Sequence, residues 1–309
     1  MKIPELLVTP ISVSDIAPLI EAGADAFVIG EQKYGLRLAG EFTRDDINEA
    51  LQIAHDKNKK VYVAMNALFH NEKVEELGEY IKFLQSVNVD AIVFGDPAVL
   101  MAAREVAPKM KLHWNTETTA TNWYTCNYWG RKGAKRAILA RELNMDSIIL
   151  MKENAEVEIE VQVHGMTCMF QSKRSLIGNY FEYQDKELEL EQNKLESTMF
   201  LFDHERDNKY PIFEDENGTH IMSPNDICII DELEEMIDAG IDCLKIDGIL
   251  KSSDYILEVT KKYREAINLA VHNRDEYEDK KGSLLEAIEE IQPKNRPLDT
   301  GFFFKETVY

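Results

Sequence analysis

Short apolar runs alternate with longer amphipathic segments along most of this chain. The runs are rich in valine and isoleucine, which favours buried strands, and the segments between them repeat apolar residues at helical spacing. The predicted strands are Glu5–Thr9, Ala26–Ile29, Lys60–Met65, Ala91–Phe94, Lys111–Trp114, Arg136–Ala140, Val157–Val163 and Cys243–Ile246. The predicted helices are Val13–Ala22, Arg44–Asp56, Val74–Ser86, Ala98–Glu105, Asn122–Arg131, Met145–Glu153, a helix near Ile227, and Ser253–Val271.

This alternation predicts an α/β fold in which parallel strands close into a (β/α)8 barrel of the TIM type, within residues 1–272. A doubly wound open sheet is the alternative. Thr43 is the predicted cap of the second helix, because a hydroxyl at that position can accept a backbone N–H, and Asp45 and Asp46 suit the positive end of the helix.

Polar residues follow the predicted strands directly. Because the carboxyl ends of parallel strands meet at one end of a barrel, we expect these side chains to converge there, where active sites of such barrels lie. The alternative is that they are ordinary polar loop residues. The set is Glu31, Asn66, Asp96, Glu117, Arg141, Glu142, His164 and Asp247.

Residues 165–224 interrupt the strand–helix rhythm and are predicted to form an inserted lid or subdomain after the seventh strand. The acidic run Asp185–Glu196 within them is typical of a solvated helix face, and Asn217-Gly218 predicts a hairpin turn. Residues 273–309 form a short C-terminal extension with a predicted helix near Leu284–Ile291. Its three phenylalanines, Phe302–Phe304, are expected to pack on the barrel or on a partner.

Composition excludes some classes of function. The chain has 309 residues and 35 basic against 56 acidic side chains, a net charge of −21, so it should bind a phosphate backbone poorly by itself. No apolar run is long enough to span a membrane and the start lacks the features of a signal peptide. Four scattered cysteines, Cys126, Cys168, Cys228 and Cys243, favour a reducing, cytoplasmic location.

Several segments resemble those of peptidase family U32, also called collagenase-like peptidases. The resemblance implies a role in forming 5-hydroxyuridine at the tRNA wobble position, with prephenate as co-substrate and an iron–sulfur cluster held by four cysteines. The segments are VYVAMNALFHNEKVEEL, AILAREL, EVQVHGMTC, YPIFEDENGTHIMSPNDICIIDEL, AGIDCLKIDGILKS and TGFFF.

The chain departs from the family pattern at the cluster. Cys168 and Cys228 match two of the four cysteine positions, but Ser175 stands at another and the remaining position has no cysteine. Cys126 and Cys243 have the sequence context of core residues. Because an iron–sulfur cubane is normally held by four thiolates, we expect this chain to lack the cluster. A smaller paralogue that works beside a complete, cluster-bearing one fits this loss.

Three functions follow from the resemblance. In the first, the chain takes part in uridine hydroxylation with the cluster-bearing paralogue and reaches tRNA through that partner. Arg141 and Lys245 then hold a carboxylate, and His164, Asp247 and Glu142 are candidates for proton transfer. Both cations could instead be paired with Glu142 and Asp247 as structure. Further expected substrate-binding residues are Asn66, Glu117 and Arg37.

The second function is proteolysis, with His164 and Cys168 as a base and nucleophile. No HExxH or GxSxG motif accompanies them. The third is a non-catalytic subunit that stabilises the paralogue, which the missing cysteines would explain.

Overall fold

The computed structural model describes residues 2–115, 120–184, 199–205 and 207–306. Within these ranges the strands are β1 (Glu5–Val8), β2 (Ala26–Ile29), β3 (Lys60–Met65), β4 (Ala91–Phe94), β5 (Leu112–Asn115), β6 (Ala134–Ile138), β7 (Glu158–Gly165), β8 (Cys168–Ser172), β9 (Met199–Asp203), β10 (Asn208–Asp215), β11 (Gly218–Met222), β12 (Asp226–Cys228), β13 (Cys243–Ile246) and β14 (Leu298–Asp299). The helices are α1 (Ile16–Glu21), α2 (Arg44–Asp56), α3 (Asn71–Ser86), α4 (Pro97–Val106), α5 (Trp123–Lys132), α6 (Met145–Asn154), α7 (Leu176–Tyr183), α8 (Glu234–Asp238), α9 (Ser253–His272) and α10 (Arg274–Ile291).

Strands β1 to β7 and β13 close into a parallel barrel. Each pairs with its sequence neighbour, and β13 pairs in parallel with both β1 and β7, which leaves no open edge in the ring. The predicted (β/α)8 barrel is confirmed. The outward strand faces pack under the helices in the main core, while a smaller cluster that includes Leu7, Tyr62, Val93 and Cys243 fills the inside.

Most predicted boundaries lie within three residues of the observed ones; α3, for example, begins at Asn71 and not at Val74. Two further corrections concern the surroundings of the site. The sixth strand ends at Ile138, two residues before the predicted Ala140, so Arg141 lies in the loop that follows. The residues around Ile227 form the short strand β12, not a helix, because β12 pairs antiparallel with the end of β7. The predicted cap of α2 is confirmed: Thr43 Oγ1 accepts from Asp46 N.

A separate antiparallel sheet, which we call the roof sheet, comprises β8, β11, β10 and β9 and occupies part of the predicted insertion. β10 and β11 form the predicted hairpin; its two-residue loop is Glu216-Asn217, and Gly218 takes the left-handed backbone at φ 105°. The Asn217 side chain donates to Gln32 O at 2.9 Å and to Gly35 O at 3.2 Å, which fastens the hairpin to the loop after β2. The acidic run Asp185–Glu196 lies outside the described residues.

The C-terminal extension packs beside the barrel. Its helix α10 is longer than predicted and lies against α9, and β14 adds in parallel to β12. Phe303 is buried in the main core, whereas Phe302 and Phe304 are 44% and 49% exposed on this chain, so the packing of these two on a partner stays a prediction. Among the described residues, no helix has the length and apolar character needed to cross a bilayer.

Candidate functional site

A cavity lies at the carboxyl end of the barrel, under the roof sheet. Strand ends supply its walls, and Met166, Cys168 and Met222 cover it from above. Met166 and Met222 form a small apolar cluster with Ile249, separate from the main core. The cavity volume is about 30 Å³, on a measure by which one water takes roughly 10–15 Å³. The roof therefore closes the site over a space for a few waters.

The floor of the cavity carries a lysine between two carboxylates. Lys245 Nζ donates to Asp247 Oδ2 at 2.9 Å, and Asp247 Oδ1 accepts from Ile249 N. Glu160 lines the same cavity, is 1% exposed, and has no hydrogen-bond partner at Oε1 within the described residues. Its Oε2 accepts from Arg136, which lies deeper in the barrel. Burial raises the pKa of Glu160, although Arg136 and Lys245 oppose this.

Glu160 was not among the predicted site residues. The apolar residues of β7 alternate along the strand and pack outward, on the helices. In a closed barrel the opposite face is also buried, so Glu160 and Gln162 point inward and are shielded from water. The sequence signal for this pair is its spacing, because residues two apart in a strand lie on the same face.

Two arginines reach the cavity from loops. Arg141 Nε donates to Gln162 Oε1 at 2.6 Å, and Gln162 in turn donates to Met166 O, so Arg141 is tied to the covering segment. Arg37 takes a left-handed backbone at φ 51° and reaches Gln171 of β8 at 3.4 Å. Both line the cavity, together with Asn66, whose Oδ1 accepts from Leu36 N. The predicted residues Arg37, Asn66, Arg141, Lys245 and Asp247 therefore come together.

His164 does not join them. β7 and β13 are out of step at this point: Gln162 pairs with Lys245, but His164 pairs with Ile246. The extra residue turns His164 out of the barrel towards α9, where Nε2 bonds to Tyr255 Oη at 2.7 Å. The expectation that His164 projects into the site is wrong, and complete burial lowers its pKa to about 3.

Tyr255 connects His164 to a buried ionic network. Tyr255 donates to Gln292, and Gln292 donates to Asp226 at 2.7 Å. Lys251 and Arg296 also bind Asp226, and although burial alone would raise its pKa, these two cations hold it at about 2. The network joins the insertion, α9 and the C-terminal extension, which indicates a structural role for this motif-bearing region.

The other predicted rim residues are dispersed. Glu142 is exposed and lies outside the cavity lining, so the structure does not bring it to the site. Asp96 caps α4 by accepting from Ala98 N, and Glu31 faces Arg44 at 3.5 Å. Glu117 lies outside the described residues.

The cysteines do not gather. Cys168 lines the cavity mouth, whereas Cys228 is buried in the main core, accepts from Tyr263 Oη at 3.7 Å, and has its pKa raised to about 11 by burial. Cys126 and Cys243 are both buried, as predicted, in the helix layer and inside the barrel. Within the described ranges, no three His, Cys, Asp or Glu side chains are arranged to hold a metal ion. These residues do not fit a four-thiolate cluster.

Comparison with known proteins identifies the family of this chain. The sequence profile of peptidase family U32 matches residues 12–308. The chain belongs to peptidase family U32. Within this family it is 74% identical to tRNA hydroxylation protein P2 of Bacillus subtilis over 309 residues, the whole of both chains. It is also 33% identical to tRNA hydroxylation protein P1 of the same organism, over 98% of this chain and 71% of that protein.

A solved U32 structure has the same fold. The U32 peptidase Mk0906 superposes with a TM-score of 0.51 at 12% identity, over 80% of this chain and 93% of that one. The family expected from the sequence motifs is confirmed. B. subtilis has both a shorter and a longer relative of this chain. This is consistent with the hypothesis that the shorter protein works with a longer paralogue.

Proposed function

We propose that this chain takes part in the hydroxylation of tRNA, at C5 of the wobble uridine. The observation that carries the proposal is the 74% identity to tRNA hydroxylation protein P2 along the full length of both chains. The cavity under the roof sheet is the place where its own residues would act.

The charges at the cavity suit a small carboxylate. Lys245, Arg141 and Arg37 converge on it from three different parts of the barrel, and guanidinium groups match the geometry of carboxylates. Prephenate, a dicarboxylate, is the proposed ligand. Because the closed cavity holds only a few waters, a ligand of this size enters when the roof sheet and the Met166–Cys168 segment move aside.

In this proposal Glu160 and Asp247 are the residues that transfer protons. They replace the sequence-based candidates His164 and Glu142. Burial raises the pKa of Glu160, and Oε1 has no partner among the described residues, so a protonated Glu160 can donate a hydrogen bond from that atom to a bound ligand. Asp247 keeps Lys245 in place through their 2.9 Å contact until a ligand carboxylate shares the lysine.

The chain is proposed to work with a cluster-bearing paralogue and to hold no iron–sulfur cluster itself. Cys168 and Cys228 lie in different environments, one at the cavity mouth and one in the core. The proposed partner is the counterpart of protein P1, and tRNA would be bound by the pair, since this chain carries a net charge of −21.

The test is mass spectrometry of wobble uridines in tRNA from strains lacking this gene, the paralogue gene, or both. Loss of 5-hydroxyuridine-derived nucleosides in each strain is expected, and restoration by the wild-type gene. Lys245→Met and Glu160→Gln should each restore less than a tenth of the modification, because each removes a group that faces the ligand. Met101→Ala, an exposed change on α4, is the matched control and should restore it fully.

Unchanged tRNA in the double deletion would contradict the proposal. Full restoration by both cavity variants would instead favour the non-catalytic subunit, for which folding and capture of the paralogue suffice. Proteolysis gains no support from the predicted pair. His164 Nε2 is bound to Tyr255, and Nδ1 has no partner among the described residues, so neither ring nitrogen contacts the Cys168 thiol there.

A further inference from the structure

An open groove adjoins the cavity over the carboxyl ends of β3, β4 and β5. Its volume is about 320 Å³, which is within the range of small-molecule sites. Arg37, Asn66 and Asn115 line both the groove and the cavity, so the two spaces meet. The groove is therefore an approach to the cavity from the outside.

The floor of the groove offers one hydrogen-bond acceptor and one donor. Asn115 is 9% exposed, and its Oδ1 has no partner within the described residues. Asn66 Oδ1 accepts from Leu36 N at 2.8 Å, which leaves its Nδ2 as a donor. Gly95 lies between the two, where a Cβ would be 3.0 Å from Asn115 O and 3.3 Å from Asn66 O. Three successive strands thus present two amides and no intervening side chain.

The walls of the groove are apolar and exposed. Leu68, Met169 and Phe170 are 61%, 58% and 49% accessible to solvent. A ring and two flexible apolar side chains around two amides match an unstacked nucleobase, which needs stacking surface on its faces and polar groups at its edge.

A lysine stands at the edge of the groove. Lys173 Nζ donates to Leu68 O at 3.0 Å, so it reaches across from the roof sheet to the barrel. Burial, with a smaller contribution from the charge of Lys73, lowers the pKa of Lys173. A cation that reaches the groove edge in a protein of net charge −21 suits a phosphate next to a base.

We propose that this groove receives one uracil base from a single-stranded RNA loop. Asn115 Oδ1 accepts from N3–H, Asn66 Nδ2 donates to the adjacent carbonyl, Phe170 stacks on the ring, and Lys173 contacts a flanking phosphate. The inference rests on the proposed function, and it adds where and how this chain holds the base that enters the reaction.

The experiment measures binding of a fluorescent anticodon stem–loop, with uridine or cytidine at the wobble position, to the full chain together with its paralogue. Phe170→Ala should weaken binding about tenfold, since the base loses the ring on which it stacks. Asn115→Ala should reduce the preference for uridine over cytidine. Lys173→Gln should weaken both loops equally and reduce the salt dependence of binding.

The matched controls lie on exposed helical or loop positions elsewhere: Tyr124→Ala on α5 and Lys109→Gln after α4. Both should bind as the wild type does. A loop with 4-thiouridine at the wobble position should crosslink under ultraviolet light to a peptide that contains Phe170, and circular dichroism verifies that each variant is folded.

Wild-type affinity in the Phe170 and Asn115 variants, or a crosslink to a peptide away from the groove, would overturn the inference. Loss of paralogue capture with unchanged RNA affinity would also overturn it, because the groove would then be a protein interface. In either case, intact tRNA hydroxylation in strains carrying these variants would leave the proposed function standing. Absence of hydroxylation defects in the deletion strain would refute the proposed function itself.

Discussion

Glu160 and His164 come from the same strand, yet the fold gives them opposite surroundings. Glu160 faces the inside of the barrel, where a cation and a cavity adjoin it, and burial raises its pKa. His164 faces the helix layer, where Tyr255 and Tyr263 enclose its ring. The sequence around these two residues does not show this difference, because the difference depends on a one-residue shift in the register between β7 and β13.

The burial of His164 predicts a pH-dependent stability. Its pKa is about 3 in the folded protein against 6.5 for an unperturbed histidine, so the unfolded chain binds more protons below pH 6.5. The free energy of unfolding should therefore fall as the pH is lowered from 7 to 5, by about 2 kcal/mol from this residue. Urea unfolding of the wild type and His164→Gln at several pH values measures it.

The difference in pH dependence between the wild type and His164→Gln reports on His164 alone, since both proteins share the remaining titrating groups. The loss of stability on acidification should be smaller in His164→Gln. Equal pH dependence in the two proteins would mean that His164 is solvated or already protonated in the fold.

Hydrogen bonds at separate points hold the roof sheet to the barrel. Asn217 at the hairpin tip donates to two carbonyls of the loop after β2, and Arg37 from that loop reaches Gln171. Within the sheet, Glu214 accepts from the backbone N–H groups of Ile177 and Gly178, which fixes the start of α7. A sheet tied at separate points can open as a unit, as ligand entry to the small cavity requires.

Asn217→Ala should therefore loosen the roof sheet without unfolding the barrel. Removing two hydrogen bonds leaves Gln32 O and Gly35 O without this donor and should cost about 1–2 kcal/mol of local stability. Hydrogen–deuterium exchange should rise several-fold in peptides of β8, β10 and β11 and stay unchanged in β1 to β6.

Asn179→Ala, an exposed change on α7, is the control and should exchange like the wild type. Faster exchange throughout the barrel strands in Asn217→Ala would show that the roof sheet and barrel unfold together, which contradicts an independently opening roof.

In the whole molecule, elements from distant parts of the chain pack on the closed barrel. β12 and β14 extend the sheet beyond β7, and the Asp226 network joins them to α9. The motif segments of family U32 around Asp226 and Lys251 meet in this network. These segments therefore have a structural role in this chain.

The dispersed cysteines predict that the purified chain holds no iron–sulfur cluster. After anaerobic purification, and after reconstitution with iron and sulfide, it should lack the visible absorption of a cluster and contain less than one iron per four chains, because stable ligation needs about four thiolates. The cluster-bearing paralogue, treated in parallel, is the positive control. A stoichiometric cluster in this chain would refute the prediction.

The local pattern of apolar and polar residues was sufficient to predict the barrel. Strand runs, helix caps such as Thr43 and the order of elements were readable because they depend on neighbouring residues and on burial, which leave a periodic signature. The convergence of Asn66, Arg141 and Asp247 also followed, since parallel strands in a barrel bring their carboxyl ends together. Lys245 was expected at the site from the resemblance to family U32.

Tertiary structure alone decided which polar residues enter the site. The inward position of Glu160 required a closed barrel with both strand faces buried, and the outward position of His164 required a shift in strand pairing. The change near Ile227 from expected helix to strand came from the end of β7, which extends beyond its pairing with β6 and is covered by this segment. Each of these depends on contacts between residues far apart in the sequence, whose geometry leaves no local pattern in the chain.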